Sequence, residues 1–351
     1  MDTRPHIVID QQVPFLEGIT GKHARITRMP GHLIRSGDIR KADALIVRTR
    51  TICSAALLQD SSVSFIGSPT IGTDHIDMEF CRSKGIAVAN APGCNSLAVM
   101  QYVFTALVAW AGSRKRDLCN MTLGIIGVGH VGKKVAALAG HLGMQTILND
   151  PPRALAEGPE GFSDLGFLLD KSDIVTMHVP LDRTTRGMAH KDFFGAMKKG
   201  ACFINTSRGD VVDEETLREA SLRLGGIILD VWHGEPHIDP ATVRITDIAT
   251  PHIAGYSLEG KRNASQMVVR ALAEHFGWDD LKDYSVSLPP PREVSQDLLF
   301  TRCFPIFVED KQLRAAPEQF EHQRNAYVFR REWTPDQYRQ LTLCLPHKIS
   351  S

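Results

Sequence analysis

The chain has 351 residues, 43% of them hydrophobic and 23% charged, with 40 Lys plus Arg against 40 Asp plus Glu. This is an ordinary globular make-up with room for two or three domains, and the zero net charge excludes a non-specific nucleic-acid binder or a polybasic membrane binder. No uninterrupted apolar run reaches the ~18 residues of a membrane span, the N-terminus lacks a signal-peptide pattern, and the 7 cysteines form no C-x-x-C pair, so reduced thiols, a cytoplasmic location and no metal site are expected.

From the start, apolar runs alternate with helix-length pieces. Ile7 to Asp10, Ala44 to Val47, Ser64 to Gly67 and Ile86 to Ala89 read as short buried strands, with helices over Ser54 to Gln59 and Asp74 to Ser83. Such alternation predicts a parallel sheet with helices on its faces, whose ligands bind beyond the carboxyl ends of the strands. Two polar clusters fall there, Arg48-Thr-Arg-Thr51 and Ser68-Pro-Thr-Ile-Gly-Thr-Asp74. Arginines interleaved with hydroxyls are what an anion such as a phosphate needs, so either Arg48 or Arg50 is expected to supply charge there. Asn95 or Ser96 can cap a nearly all-apolar, buried helix over Leu97 to Trp110 that carries the chain into a second domain.

The second domain opens on Leu123 to Ile126, a buried strand, followed by Gly127, Gly129 and Gly132 in the spacing G-x-G-x-x-G and by an amphipathic helix with Val131, Val135, Leu138 and Leu142 on one face. The first glycine permits a tight turn, the second lets phosphate approach the backbone, and the third lets helix and strand pack closely. The helix N-terminus, at His130 and Val131, adds unpaired N–H groups. A strand over Gln145 to Asn149 then ends at Asp150, where a carboxylate can bond an adenosine ribose. These features together point to NAD.

Further strands follow at Ile174 to Val179, Ala201 to Asn205, Gly226 to Val231 and Asp247 to Ala249, and an acid-rich helix start lies at Asp213 to Glu215. Three of these strands end near chemistry-bearing residues: Arg208, Glu235 and His252. An arginine can hold a substrate carboxylate bidentately. An imidazole can accept a hydroxyl proton, and a carboxylate can orient the ring and favour its charged form. His178 reads as cleft lining and His233 as a solvated neighbour.

Asn205-Thr-Ser-Arg-Gly-Asp-Val-Val-Asp213, Asp230-Val-Trp-His-Gly-Glu-Pro236 and Thr250-Pro-His-Ile-Ala-Gly255 resemble the three signatures of the D-isomer-specific 2-hydroxyacid dehydrogenases. Gly67-Ser-Pro-Thr-Ile-Gly-Thr-Asp-His-Ile-Asp77, Ala91-Pro-Gly-Cys-Asn95, Asn149-Asp-Pro-Pro-Arg153 and Ala254-Gly-Tyr-Ser-Leu-Glu-Gly-Lys261 resemble the branch that oxidises 4-phosphoerythronate on a route to pyridoxal phosphate. The resemblance covers about residues 6 to 333. It implies Arg208 and Glu235 as active-site residues and His252 as acid/base. It places NAD on Asp150, Val179, Asp230 and Gly255, and substrate on Thr49, Thr70 and Tyr256. Val179 stands where a threonine is common, so only a backbone contact is expected there; Thr49 stands where a serine is common.

The expected architecture is α/β throughout: a Rossmann-type doubly wound sheet at 96–256, a flavodoxin-like substrate domain at 1–95 and 257–285, and a small α+β dimerisation module at 286–351. The module follows Leu288-Pro-Pro-Pro291 and is rich in apolar residues, including Leu298, Leu299, Phe300, Phe304, Ile306, Phe307, Tyr327, Phe329 and Trp333, too many to bury within it. A homodimer is therefore expected. The rival readings are another D-2-hydroxyacid dehydrogenase, such as one acting on phosphoglycerate, and a non-catalytic NAD-sensing corepressor.

Overall fold

The computed structural model describes residues 3–290, 300 and 304–341. The chain forms two compact units, one from Met1–Asn95 with Leu258–Pro290, the other from Ser96–Ser257 with Pro291–Ser351.

The first unit holds a five-stranded sheet in the order β2-β1-β3-β4-β5, formed by β1 (His6–Asp10), β2 (Arg25–Met29), β3 (Ala44–Ile46), β4 (Phe65–Gly67) and β5 (Ala87–Ala89). Every pairing is parallel, and this is the flavodoxin-like order. Ile7, Ile9, Ala44, Ile46 and Phe65 pack on one face against Val268, Val269 and Leu272 of the Leu258–Phe276 helix. Each fully buried aliphatic of this kind contributes about 1.5–3 kcal/mol. Gly67 is required at that contact, because a Cβ there would lie 2.5 Å from Val268 Cγ1. Strand β2 is absent from the sequence reading. It is an edge strand of sequence Arg-Ile-Thr-Arg-Met, mostly exposed, and edge strands need no apolar run.

The second unit holds a six-stranded sheet in the order β11-β10-β9-β8-β6-β7: β6 (Thr122–Ile126), β7 (Gln145–Asn149), β8 (Ile174–Met177), β9 (Cys202–Asn205), β10 (Gly226–Leu229) and β11 (Ile248–Ala249). All are parallel. The direction of winding reverses between β6 and β8, which is where such sheets bind nucleotides. The Ser96–Ser113 helix is buried in this unit's core, with Tyr102, Phe104 and Trp110 all almost fully enclosed. Its 18 residues reach the length and mean hydropathy, 1.3, of a membrane-crossing helix, with 72% of the segment buried. Gln101, Tyr102 and Thr105 interrupt its apolar run, and all three are buried with the rest of the helix.

The C-terminal segment differs from expectation in two ways. Its described α-helices are Ile306–Ala315, Phe320–Ala326 and Pro335–Gln340, and its strand pairing among the described residues is the isolated bridge of Ser257 with Arg330. Nor does it form a module of its own. Phe300, Phe304, Ile306 and Trp333 are buried in the same core as the Ser96–Ser113 helix, with the Phe304 ring tilted against that of Tyr102 at 5.7 Å between centroids. Apolar residues that a small module could not bury alone are thus buried by the second unit, and the inference of a dimer from them weakens. Leu298 and Leu299 lie outside the described residues.

Candidate active site

The glycine turn follows β6, and each glycine has a separate physical reason. Gly127 has φ +85°, and a Cβ on it would lie 2.6 Å from the His178 carbonyl oxygen beyond β8. Gly132 would place a Cβ 2.1 Å from the Gly127 carbonyl oxygen, so the helix can lie this close to the strand only without a side chain. Gly129 faces open space, with nothing within 4 Å of its would-be Cβ. It is the N-cap of the His130–His141 helix, so the opening lies where the helix offers unpaired N–H groups. Asp150 closes the turn from β7. Its Oδ2 accepts from Val128 N at 2.7 Å, and its Oδ1 accepts from Arg153 N at 3.1 Å, capping the Pro151–Glu157 helix. Arg153 is held by Glu157 and by the Val128 carbonyl. Val179 lies against the turn, 2.9 Å from the Gly127 Cβ position. The cradle at the winding reversal fits a dinucleotide.

His178 is flanked by the hydroxyls of Thr176 and Thr206, and burial pulls its pKa down to about 3, so the ring stays neutral. His233 is exposed and bonds Asp210 through Nδ1 at 2.7 Å.

Arg208, Glu235 and His252 stand beyond the carboxyl ends of the adjacent strands β9, β10 and β11. The first two loops are locked together: a Cβ on Gly209 would lie 1.9 Å from the Trp232 carbonyl oxygen. Asn205 Nδ2 donates to the Arg208 carbonyl at 2.8 Å, fixing the turn that presents the guanidinium. Buried Glu214 ties the second loop down, its carboxylate accepting from His233 N at 2.8 Å and from the Thr242 hydroxyl at 2.7 Å. Glu235 accepts from Trp232 N through Oε1 at 3.0 Å and pairs through Oε2 with His252 Nδ1 at 2.7 Å. Burial works against charge on Glu235, but the His252 charge and hydrogen bond, with Arg324, hold its carboxyl below the usual glutamate range.

His252 has φ +57°, a left-handed conformation that costs a non-glycine residue roughly 1 kcal/mol or more. Asp230, 1% exposed, holds it there. Its carboxylate accepts from the Thr250 hydroxyl and Ile253 N, each at 2.7 Å, and from Ala254 N at 2.9 Å, while its carbonyl accepts from His252 N at 2.7 Å. The Tyr102 hydroxyl meets Thr250 Oγ1 at 2.6 Å from the core helix. The resemblance assigned Asp230 to NAD; in the structure three of its acceptor positions serve the histidine loop. The far end of the loop is held by the C-terminal segment. Arg330, 7% exposed, donates to the carbonyls of Ile253 at 3.0 Å, Tyr256 at 3.2 Å and Ala98 at 2.8 Å, and also to Ala254. Ser257 Oγ donates to Glu332 at 2.6 Å. Sequence reading missed Tyr102, Arg330 and Glu332, because their partners are far away in the chain.

Tyr256, next to Gly255, has the Arg324 guanidinium 5.6 Å from its ring centroid. Arg324 belongs to the Phe320–Ala326 helix and carries no assignment from sequence.

In the first unit, Arg48 does not present an open charge. Its Nε donates to Asp10 Oδ2 at 2.9 Å and another nitrogen to Gln12. Asp10 is 1% exposed, so the arginine neutralises a buried carboxylate that would otherwise be stranded. Of the two arginines expected to supply charge to an anion, Arg48 is thus engaged by Asp10. Thr51 donates to the Gly31 carbonyl at 2.9 Å, while Thr49 and Arg50 are exposed. Thr70 Oγ1 donates to the Gly72 carbonyl at 3.0 Å and meets Ser68 Oγ at 2.7 Å.

The D-isomer specific 2-hydroxyacid dehydrogenase NAD-binding domain matches residues 105–254. An erythronate-4-phosphate dehydrogenase from Bacteroides fragilis is 41% identical over 338 residues, 93% of this chain and 97% of the relative. The chain belongs to the erythronate-4-phosphate dehydrogenase family. Another member, from Chromohalobacter salexigens, is 41% identical over 291 residues, 81% of this chain and 76% of its own. The family fold is also that of D-lactate dehydrogenase from Aquifex aeolicus, solved with NAD and lactic acid, which is 24% identical with a TM-score of 0.67 and covers 81% of this chain and 100% of that one. The match makes residues 105–254 an NAD-binding domain, and the family assignment disfavours the corepressor and phosphoglycerate readings.

Proposed function

We propose that this protein oxidises 4-phosphoerythronate at C2 to the 2-oxo acid, with NAD, in pyridoxal phosphate biosynthesis. The observation that carries the chemistry is the 2.7 Å pair of His252 Nδ1 with Glu235 Oε2 on strand ends flanked by Arg208. The substrate's identity follows from the relatives' names.

NAD, when bound, supplies the two-electron acceptor for the C2–H bond. Asp150 would take the ribose and the 129–132 backbone the pyrophosphate. The residues of the chain do the rest. Arg208 holds the substrate carboxylate by its two-pronged guanidinium. Because Glu235 is a carboxylate and accepts, Nδ1 of His252 is the donor, so Nε2 is left as the base that takes the C2 hydroxyl proton. Glu235 then stabilises the imidazolium so formed. Thr49, Thr70 and Tyr256 are proposed substrate contacts, and Gly255 and Val179 proposed cofactor contacts.

We also propose a cytoplasmic homodimer. Phe307, Val308 and Val328 on the C-terminal segment are 49%, 48% and 85% exposed, and such apolar surface favours a partner. Light scattering that gives a monomer at micromolar concentration would reject the dimer. For the reaction, NADH formation is measured with a panel of 2-hydroxy acids, with and without phosphate. The phosphorylated four-carbon acid should give the highest kcat/KM; equal use of erythronate and its phosphate would refute the substrate.

A further inference from the structure

We propose that Arg324 is a specificity-determining residue that binds the distal phosphate of the substrate. The inference rests on the substrate proposed above.

Charge balance sets the problem. A phosphorylated sugar acid brings one carboxylate and a phosphate of about −1.5 to −2 at neutral pH. Arg208 answers the carboxylate. Glu235 adds a further negative charge beside the reacting carbon, and His252 starts the reaction as a neutral base. A second permanent cation is needed; of the sequence's two candidates, Arg48 is already joined to Asp10, and Arg50 is exposed.

Arg324 has the position for that role. Its guanidinium carbon lies 5.6 Å from the centroid of Tyr256, in the same loop as His252. The side chain is half-buried, and its Nε is shielded from solvent with no hydrogen-bond partner among the described residues. A buried N–H left without an acceptor is costly, and an anionic oxygen would satisfy it. The acidic groups that bear on it are Glu235 and Glu321. Glu321 Oε1 also accepts from Asn325 Nδ2 at 2.9 Å on the same helix. Glu235 is engaged by His252, so Arg324 approaches the reacting centre without closing an ion pair on it. The guanidinium fork and the Tyr256 hydroxyl together make a donor set for a phosphate monoester. The C-terminal segment thereby gains a chemical role, since a helix far along the chain brings a cation to the catalytic loop.

The test compares 4-phosphoerythronate with erythronate in wild type, Arg324→Gln and Arg324→Lys, with thermal melts to confirm folding and inorganic phosphate as a competitive inhibitor. Losing charge-assisted bonds should lower kcat/KM for the phosphorylated acid in the Gln variant by roughly 10²-fold. Erythronate kcat/KM should fall at least tenfold less than that of the phosphorylated acid, and phosphate inhibition should weaken in parallel with the larger loss. The Lys variant keeps charge without the fork and should fall between the two. If Gln does not fold, Lys alone decides: a tenfold loss of discrimination supports the assignment and unchanged discrimination overturns it. A parallel fall for both substrates would make Arg324 a support for Glu235 and overturn the proposal. If wild type itself does not discriminate, the substrate reading fails, and this inference fails with it. If wild type discriminates and Arg324→Gln discriminates equally, only this inference fails.

Discussion

The glycine turn at 127–132 and the histidine loop at 250–257 lie beyond strands of one sheet, yet they are built differently. The turn is made almost entirely of backbone. Gly127 and Gly132 are placed by what a Cβ would strike, and side chains close the turn only at Val128, Asp150 on its N–H and Arg153 on its carbonyl. The loop is made of side chains drawn from across the chain. Asp230 holds its start, Glu235 its histidine, and Arg330 and Glu332 its end. A cofactor common to many enzymes can be held by a local, sequence-contiguous device. A reacting histidine held in a left-handed conformation needs a shell of buried partners to over-determine it.

The largest effect that would sharpen this contrast is chemical. His252→Ala should lower kcat by about 10²–10⁴-fold and leave NAD affinity, read by fluorescence titration, unchanged. Turnover within threefold of wild type would remove His252 from its role. Arg330→Ala comes next. Four carbonyls accept from this buried guanidinium, so its loss should lower unfolding free energy by on the order of 3 kcal/mol. A loss below ~1 kcal/mol in chemical denaturation would show that the loop holds itself.

Smaller and more local is a pair of glycine substitutions. Gly132→Ala meets the Gly127 carbonyl and should destabilise by about 1–3 kcal/mol, as overpacking does. Gly129→Ala meets nothing and should melt within a degree or two of wild type while binding NAD at least tenfold more weakly. Equal behaviour of the two variants would break the account of the turn. Asp150 gives a related outcome: NAD should be strongly preferred over NADP, and Arg153, held by Glu157, should not rescue a 2′-phosphate. Comparable kcat/KM for both cofactors would contradict this.

The smallest effect is a pH dependence. Glu235 has a depressed folded-state pKa, so the stability it gives is present above its unfolded value and is lost as pH falls through the folded one. The stability difference between wild type and Glu235→Gln should thus stay level from pH 7 toward the ordinary glutamate value of about 4.3 and shrink below it. A difference that shrinks already between pH 7 and 6 would refute the pairing.

What is legible in the sequence follows the same division. The strands of both sheets show as apolar runs, except β2, whose edge position lets polar residues in. The glycine turn, Asp150 and the strand-end placement of Arg208, Glu235 and His252 can be read because each is set by nearby sequence. The pairing of Arg48 with Asp10 is not legible, since Asp10 lies on a neighbouring strand, 38 positions away. The tail's apolar residues read as surface because their partners, Tyr102 among them, come some two hundred residues earlier.

Arg330 has a consequence for the order in which the protein matures on the ribosome. Every residue that shapes the glycine turn has been made once Val179 is in place. The clamp on the histidine loop arrives about 150 residues later, roughly 8–30 s at 5–20 residues per second. Until then the histidine loop lacks the guanidinium that holds its end. A chain released early by stalling or premature termination would therefore lack the clamp on its histidine loop.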